Sequence, residues 1–376
     1  MAVHREPRWL LWTIIMLAAT APAISQSTLT GKITDSKTGE PVPFANVFFA
    51  HTTRGTSSLV DGTFTISRIP DGKYDLVVEV IGYRHHKQPV EFNEGPYRLD
   101  IVLEPDIVQL DSVTVIADQS DKRYYPVFVR FFVGDTRSAK TCKILNPEVL
   151  HFYFDTKRRY LTVTARKPVQ ILNPELGYLV HFSLDRFGLD FETGGKVMMG
   201  SPRFEELKAV KRRDSIAWAK KRNQAYRGSV FHFMRSLYLD ELDKEGFNLS
   251  LADSADFGNT WEETLRPFRG DSLVTIGKVA ELHYRGLMKL EFRASEDWEY
   301  PGRAQSRYRG RNPKGYQQTY LRLKGENLRI YENGYFSDQE TVYMTGYLVW
   351  RETVSAMVPL GHEVVKKTGK RKKKNA

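Results

Sequence analysis

Four residues spaced by three, Tyr226, Ser229, His232 and Arg235, bring a phenol, a hydroxyl, an imidazole and a guanidinium to one side of a helix start. A serine and a histidine one turn apart are the raw material of a nucleophile and its general base. Catalysis also needs an orienting acid and oxyanion donors, and no Gly-x-Ser-x-Gly elbow occurs. Arg235 places a cation close to His232, which lowers an imidazole pKa. The same residues also suit a partner- or ligand-binding patch, or a structural network of cap, histidine and arginine bonded to an adjacent sheet. Of the three readings, the residue types favour the structural network.

Other candidate chemistry fails on spacing. None of the nine histidines stands in His-x-x-Glu or His-Glu-x-x-His, the arrangements that hold a catalytic zinc with an open position for water. The adjacent pair His85-His86 would point its rings to opposite faces of a strand. Between Gly270 and Lys278 a phosphate loop is suggested and then excluded, because Val279 stands where Ser or Thr should bind magnesium. Asp253, Asp256 and Glu262 miss calcium-loop spacing, with Phe257 at an oxygen position and Thr264 in place of the terminal Glu. Cys142 is the one cysteine, which excludes a disulfide framework and multi-cysteine metal sites; it reads as a buried small residue. No cofactor and no metal site are expected.

Arg303, Arg307, Arg309, Arg311 and Lys314 interleave with Tyr308 and Tyr316, a basic-aromatic mixture suited to a polyanion. The tail adds seven Lys or Arg between Lys366 and Lys374, Lys372 and Lys373 among them, and without those charges the net charge of +11 falls to +4. The body is therefore close to balanced. Polyanion contact is assigned to Arg307, Arg309, Arg311, Lys372 and Lys373, with a solvated hairpin and a disordered basic tail as the plainer alternatives.

The elements that must position these groups follow from periodicity. Asp214 reads as the cap of a helix running to about Arg227. Gly228-Ser229 opens a second helix, in which Val230, Phe233, Met234, Leu237 and Tyr238 form one apolar stripe, and Gly246 is a stop signal. Strand-like runs precede the pair (Leu150–Phe154, Tyr160–Ala165, Val169–Leu172, Tyr178–Leu184) and follow it (Val274–Arg285, Leu287–Phe292, Tyr320–Leu323, Leu328–Tyr331, Val342–Thr353). Strands, helices, strands in that order fit an α+β domain over 123–365, with the helical pair at about 203–245.

Upstream, Thr28 to Pro105 carries short β-branched and aromatic runs punctuated by Lys37-Thr38-Gly39, Asp61-Gly62 and Asp71-Gly72. About seven short strands at regular spacing, with no helical pattern, read as a seven-strand antiparallel β-sandwich over 26–105. The chain as a whole is mainly β with α+β. Residues 1–25, with Arg5 and Arg8 ahead of the apolar run Leu10–Ala19 and with Ala23 and Ser25 at small-x-small spacing, read as a secretory signal peptide. Residues 106–122 read as a linker and 366–376 as the basic tail. The length of 376 residues with 41% hydrophobic and 27% charged composition suits two or three domains rather than a disordered chain.

The motifs Leu29-Thr30-Gly31-Lys32-Ile33, Gly39-Glu40-Pro41-Val42-Pro43-Phe44-Ala45-Asn46-Val47, Asp61-Gly62-x-Phe64-x-Ile66, Gly72-x-Tyr74 and Gly82-Tyr83 resemble the carboxypeptidase-regulatory-like domain, a transthyretin-like β-sandwich common in envelope proteins of Bacteroidetes. The resemblance implies a fold and an envelope setting, and implies no peptidase activity. Leu110–Ala117 resembles the segment that follows this sandwich in TonB-dependent outer-membrane transporters, but too few residues remain for their barrel and plug. Leu145–Leu150, Ile171-Leu172-Asn173, Leu176-Gly177-Tyr178, Arg222, and Ala225 through Leu237 resemble an uncharacterised domain that follows the sandwich in Bacteroidetes envelope proteins. The resulting expectation is a non-catalytic exported protein, periplasmic or outer-membrane-associated, that docks another envelope protein or a glycan. Peripheral contact with an anionic membrane surface is a further expectation, and nucleic acid is not an expected partner. A peptide or glycan hydrolase and an accessory to TonB-linked uptake are the alternatives.

Overall fold

The structure, a computed structural model, describes residues 27–106, 122–252, 265–268, 273–284, 286–293, 317–325, 327–337, 339–362 and 364. The chain is mostly strand, with a few helices set among antiparallel sheets.

Alternating apolar residues and tight Gly turns fold the first segment into β1 (Ser27–Asp35), β2 (Asn46–Phe49), β3 (Gly55–Ser57), β4 (Thr63–Ile69), β5 (Gly72–Glu79), β6 (His86–Phe92), β7 (Pro96–Arg98) and β8 (Ile101–Leu103). One sheet holds β4, β1, β7 and β8, the other runs β3-β2-β5-β6. Leu29, Ile33, Phe64 and Ile66 of the first meet Val47, Phe49, Leu76 and Val78 of the second in one core. The sequence count of seven antiparallel strands is corrected here to eight. Both β7 and β8 pair with β1 in parallel, because the chain after β6 returns alongside β1 in the same direction. Alternation marks a strand's faces and not its distant partner, so this pairing is invisible locally.

The second region has two cores. In the first, α1 (Tyr125–Phe132) lays Phe128 and Phe132 on a sheet made of β9 (Lys143–Ile144), β10 (Leu150–Asp155), β11 (Tyr160–Ala165), β12 (Val169–Asn173), β13 (Tyr178–Asp190) and β14 (Lys196–Glu206). The rings of Phe128 and Phe187, and of Phe132 and Phe182, pack edge-to-face at 5.0 Å. Helix α2 (Arg212–Tyr226) lies over the β12–β13 turn, where Gly177 at φ 68° leaves room for the Trp218 ring; a Cβ there would meet that ring at 2.3 Å. Arg222 sits 3.9 Å over Tyr178 and donates to Leu176 O, Gly177 O and Glu206.

The second core centres on α3 (Val230–Tyr238), followed by α4 (Leu242–Glu245). It packs against a five-stranded sheet, β16-β15-β19-β20-β22, and a three-stranded one, β17-β18-β21. The strands are β15 (Phe247–Ala252), β16 (Leu265–Pro267), β17 (Leu273–Ile276), β18 (Val279–Leu282), β19 (Leu287–Phe292), β20 (Gln317–Leu323), β21 (Leu328–Tyr331) and β22 (Val342–Gly346), with α5 (Tyr347–Arg351) after them. Two expected strands are shorter than read. Val274–Arg285 is a hairpin turning at Gly277-Lys278, and Val342–Thr353 becomes helix at Tyr347. The expected helical stretch from residue 203 begins later, since Arg203–Glu206 finish β14. Asp214 lies inside the first turn of α2 and accepts from the Lys211 N–H at 3.1 Å instead of standing at the cap.

Candidate functional site

Tyr226, Ser229 and His232 converge at the start of α3, where hydrogen bonds and ring contacts within the fold take up Ser229 and His232. Ser229 caps α3 and its Oγ accepts from the His232 backbone N–H at 3.2 Å, so the hydroxyl faces the backbone and not the imidazole. The imidazole is spoken for at both nitrogens: Nδ1 accepts from the Gly228 N–H at 3.0 Å and Nε2 lies 3.1 Å from Glu245 Oε2. Because Nδ1 accepts, the ring proton sits on Nε2 and points at Glu245. The ring is buried among Tyr226, Phe247 and Phe292. Burial holds His232 below the ordinary histidine range, opposed by Glu245 and helped by Arg227 and Arg351. Arg235, expected to supply that cation, is not among the groups that shift His232 and acts on the Tyr226 phenol instead, against the burial that raises the phenol's pKa. A neutral imidazole with no free lone pair cannot take a proton from a nucleophile.

Charge from elsewhere completes this knot. The Glu352 carboxylate accepts from the Val230 N–H at 2.9 Å, capping the positive end of α3, and burial raises its pKa. Arg351 donates to Gln224 O and Ala225 O at the end of α2. Lys196 sends its ammonium to three backbone carbonyls, Phe131 O at 3.3 Å, Val349 O at 3.1 Å and Glu352 O at 3.2 Å, binding the C-terminal ends of α1 and α5 together. Desolvation lowers the Lys196 pKa to about 8. Cys142 is equally inert: burial pushes its thiol up to about 12.

Phe231 of α3 packs against all three cores, and the sandwich is tied in around it. The His51 ring meets Phe231 edge-on at 5.2 Å, while the His51 backbone N–H donates to Pro202 O and its backbone carbonyl accepts from the Leu360 N–H. Desolvation pushes the His51 pKa down to about 4. Lys73 donates to the Tyr331 hydroxyl at 3.0 Å, the Tyr335 hydroxyl to Asp75 at 2.8 Å, and Asn333 to Lys73 O at 2.9 Å. His85, one of the adjacent pair, bridges Glu79 at 3.1 Å and Asp185 at 3.4 Å, joining β5 to β13.

What this packing leaves free is one end of the sandwich. The registers Asn46–Glu79 and Asn46–Ser57 place Phe44, the Leu59-Val60 turn and Ile81 together beyond the ends of β2, β3 and β5. They are 69%, 64%, 75% and 85% exposed. Phe44 holds φ at 57°, a left-handed conformation that a bulky side chain rarely adopts. The buried Ser58 keeps it there: its Oγ donates to Val42 O and accepts from the Ala45 N–H, both at 2.9 Å, and the Phe44 N–H donates to Ser58 O. Backbone strain of this kind persists only where the surrounding structure holds it, as Ser58 does here. Sequence reasoning quoted Phe44 only as part of the family motif and passed over Leu59, Val60 and Ile81, although apolar side chains inside Pro-, Ser- and Gly-rich turns were the available signal.

Arg307, Arg309, Arg311, Lys372 and Lys373 lie outside the described residues, as do Asp253, Asp256 and Glu262. Among the described residues no three His, Cys, Asp or Glu side chains gather as a metal site, and no helix is long and apolar enough to cross a membrane.

Residues 29–115 match the family described as CarboxypepD_reg-like domain. A stretch of 99 residues, 26% of this chain, is 32% identical to the TonB-dependent receptor P39 of Formosa agariphila, of whose length it covers 9%. Among solved structures, 5-hydroxyisourate hydrolase of Klebsiella pneumoniae is 19% identical, over 21% of this chain and 90% of that one, with a TM-score of 0.18. A DUF3823 family protein from Bacteroides ovatus is 13% identical, over 49% of this chain and 82% of that one, also with a TM-score of 0.18.

Proposed function

We propose that this chain is a non-catalytic binding protein of the bacterial cell envelope, whose carboxypeptidase-regulatory-like sandwich docks a protein partner through Phe44, Leu59, Val60 and Ile81. The observation that carries the reading is the pairing of four exposed apolar side chains with a left-handed Phe44 held by the buried Ser58. Apolar side chains concentrated at the end of a rigid scaffold gain roughly 1.5–3 kcal/mol each when buried fully, enough to centre a specific interface. The hydrolase alternative loses its best candidate base to the hydrogen bonds on both nitrogens of His232. The envelope setting draws on the family match and on the leader-like residues 1–25. A role beside a TonB-linked uptake system draws on the 32% identity to one receptor.

The test is a photo-crosslinking residue placed at Phe44 or Ile81 in the full chain, expressed in its native envelope, with the exposed Arg98 as the control position. The reading expects one discrete protein adduct from Phe44 and Ile81, absent at Arg98 and lost on Leu59→Ser with Val60→Ser. Adducts of the same kind from all three positions, or none from the apolar end, would remove the docking role.

A further inference from the structure

The five-stranded sheet has an inner face on α3 and an outer face of different chemistry. Leu249, Leu251, Leu290, Phe292, Leu321 and Leu323 fill the core, so the alternate residues face away. Across that outer face Lys289 pairs with Tyr320, Glu291 with Gln318, Tyr320 with Thr345 and Arg322 with Tyr343. Its centre is saturated: the buried Glu291 carboxylate takes Lys289 at 3.2 Å, Arg293 at 2.7 Å, Asn248 at 3.3 Å and Gln318 at 3.2 Å, and these partners hold its pKa low against burial.

Beside this network lies a half-open cavity of about 780 Å³, lined by Leu287, Tyr320, Arg322, Lys324, Tyr343 and Thr345 among others. Its size is in the range that takes small ligands. Leu287, a buried residue, contributes apolar surface to the cavity lining. Tyr343 is 55% exposed at the wall. Arg322 and Lys324 bring two positive charges, and among the described lining residues there is no carboxylate.

We propose that this cavity binds an anionic carbohydrate. Tyr343 offers an aromatic face to the C–H face of a sugar ring, Thr345 offers a hydroxyl, and Arg322 with Lys324 takes a carboxylate or sulfate substituent. The combination selects against a neutral sugar, which leaves two cations without partners, and against a bare anion, which leaves the aromatic wall unused. An acidic peptide matches the two cations but brings no flat C–H face for the exposed Tyr343 ring, and it is the comparator in the test. The site lies on a different sheet from Phe44 and does not rest on the docking role.

Calorimetric titration of the full chain with tetragalacturonate and with a heparin tetrasaccharide tests it, with cellotetraose and a tetraglutamate peptide as comparators. Saturable one-site binding of at least one anionic oligosaccharide is expected, weakened about tenfold or more by Tyr343→Ala and by Arg322→Ala and retained in Tyr343→Phe. Both exposed positions leave the thermal midpoint unchanged, so loss of binding reports the site and not the fold. Failure of both anionic oligosaccharides at millimolar concentration overturns the proposal. So does equal binding of cellotetraose, equal binding of tetraglutamate, or binding indifferent to Arg322→Ala.

Discussion

Replacing Phe44 separates the stability of the sandwich from its use. At φ 57° a non-glycine residue carries a backbone cost of roughly 1–3 kcal/mol, and glycine carries none. Glycine returns about 0.5–1 kcal/mol of that through the greater freedom of its unfolded chain. The Phe44 ring is 69% exposed, so removing it forfeits only a fraction of the burial energy of a phenylalanine, on the order of 0.5 kcal/mol. Phe44→Gly is therefore expected to match or exceed the parent in stability by up to about 1 kcal/mol, while Phe44→Ala keeps the strain, loses the ring and falls slightly below the parent. The difference between the two variants, about 0.5–1.5 kcal/mol in favour of glycine, isolates the backbone term because neither has a ring. Urea unfolding with a common slope reads it directly. Both variants should lose the envelope adduct equally. A Phe44→Gly protein no more stable than Phe44→Ala would mean that Phe44 is unstrained, and the argument that strain is retained there for binding would fail.

Three further outcomes are expected. His232→Ala leaves the buried Gly228 N–H without an acceptor and removes a ring packed on three aromatics, so stability should drop by about 3 kcal/mol; in the parent, ¹⁵N chemical shifts of the ring should report the Nε2–H form and no titration near pH 6.5. Lys196→Met orphans three carbonyls at the ends of α1 and α5 and should cost about 3 kcal/mol, read by urea unfolding and by faster amide exchange in both helices; a loss under 1 kcal/mol would show that those carbonyls find other donors. His85 is pulled down by burial, but the bond to Asp185 and the charges of Glu79 and Asp185 outweigh it and Lys87, so its folded pKa lies above 6.5. Its contribution is thus fully present below pH 6.5 and disappears as pH rises through the raised value, and the stability gap between parent and His85→Gln should be widest in acid and close in alkali.

The sandwich was legible because its information is local. Phe64 and Ile66, or Leu76 and Val78, fix which face of a strand is buried, and Asp61-Gly62 and Asp71-Gly72 fix where it turns. The parallel pairing of β1 with β7 and β8 was not legible, since nothing in either segment names the other. The cap at Ser229 was read correctly from residue type, but the helix it opens ends at Tyr238, short of the expected stop, and Gly246 at φ 86° closes the separate helix α4. The use of His232 was not legible, because its acceptor and its carboxylate are set by the turn at Gly228 and by Glu245 on a separate helix, and the cap on Val230 comes from Glu352. The split into two cores escaped for the same reason. Helices α2 and α3 are neighbours in sequence but serve different sheets, one through Trp218 and Arg222, the other through Phe233 and Leu237.

Packing then decides which part of the sandwich is available. The outer face of β2 and β5, where Phe48, Ala50 and Val77 are buried, lies under Arg203 of β14, and Thr52 joins that strand in a parallel bridge. The beginning of β5 is closed off by Tyr331, Tyr335 and Asn333, and Leu360 enters the sandwich core from the far end of the chain. His85 fixes the end of β5 to β13 without covering Ile81, which projects just before it. A module held at so many points cannot reorient, so under the proposed docking role a partner must fit what is left. What is left is apolar and locally strained at Phe44, and it sits beside Asp106, where the chain leaves the sandwich through a hydrogen bond to Gly82 O. Rigid presentation of that end lowers the ordering cost of association, which is the physical advantage of building the sandwich into the body instead of tethering it.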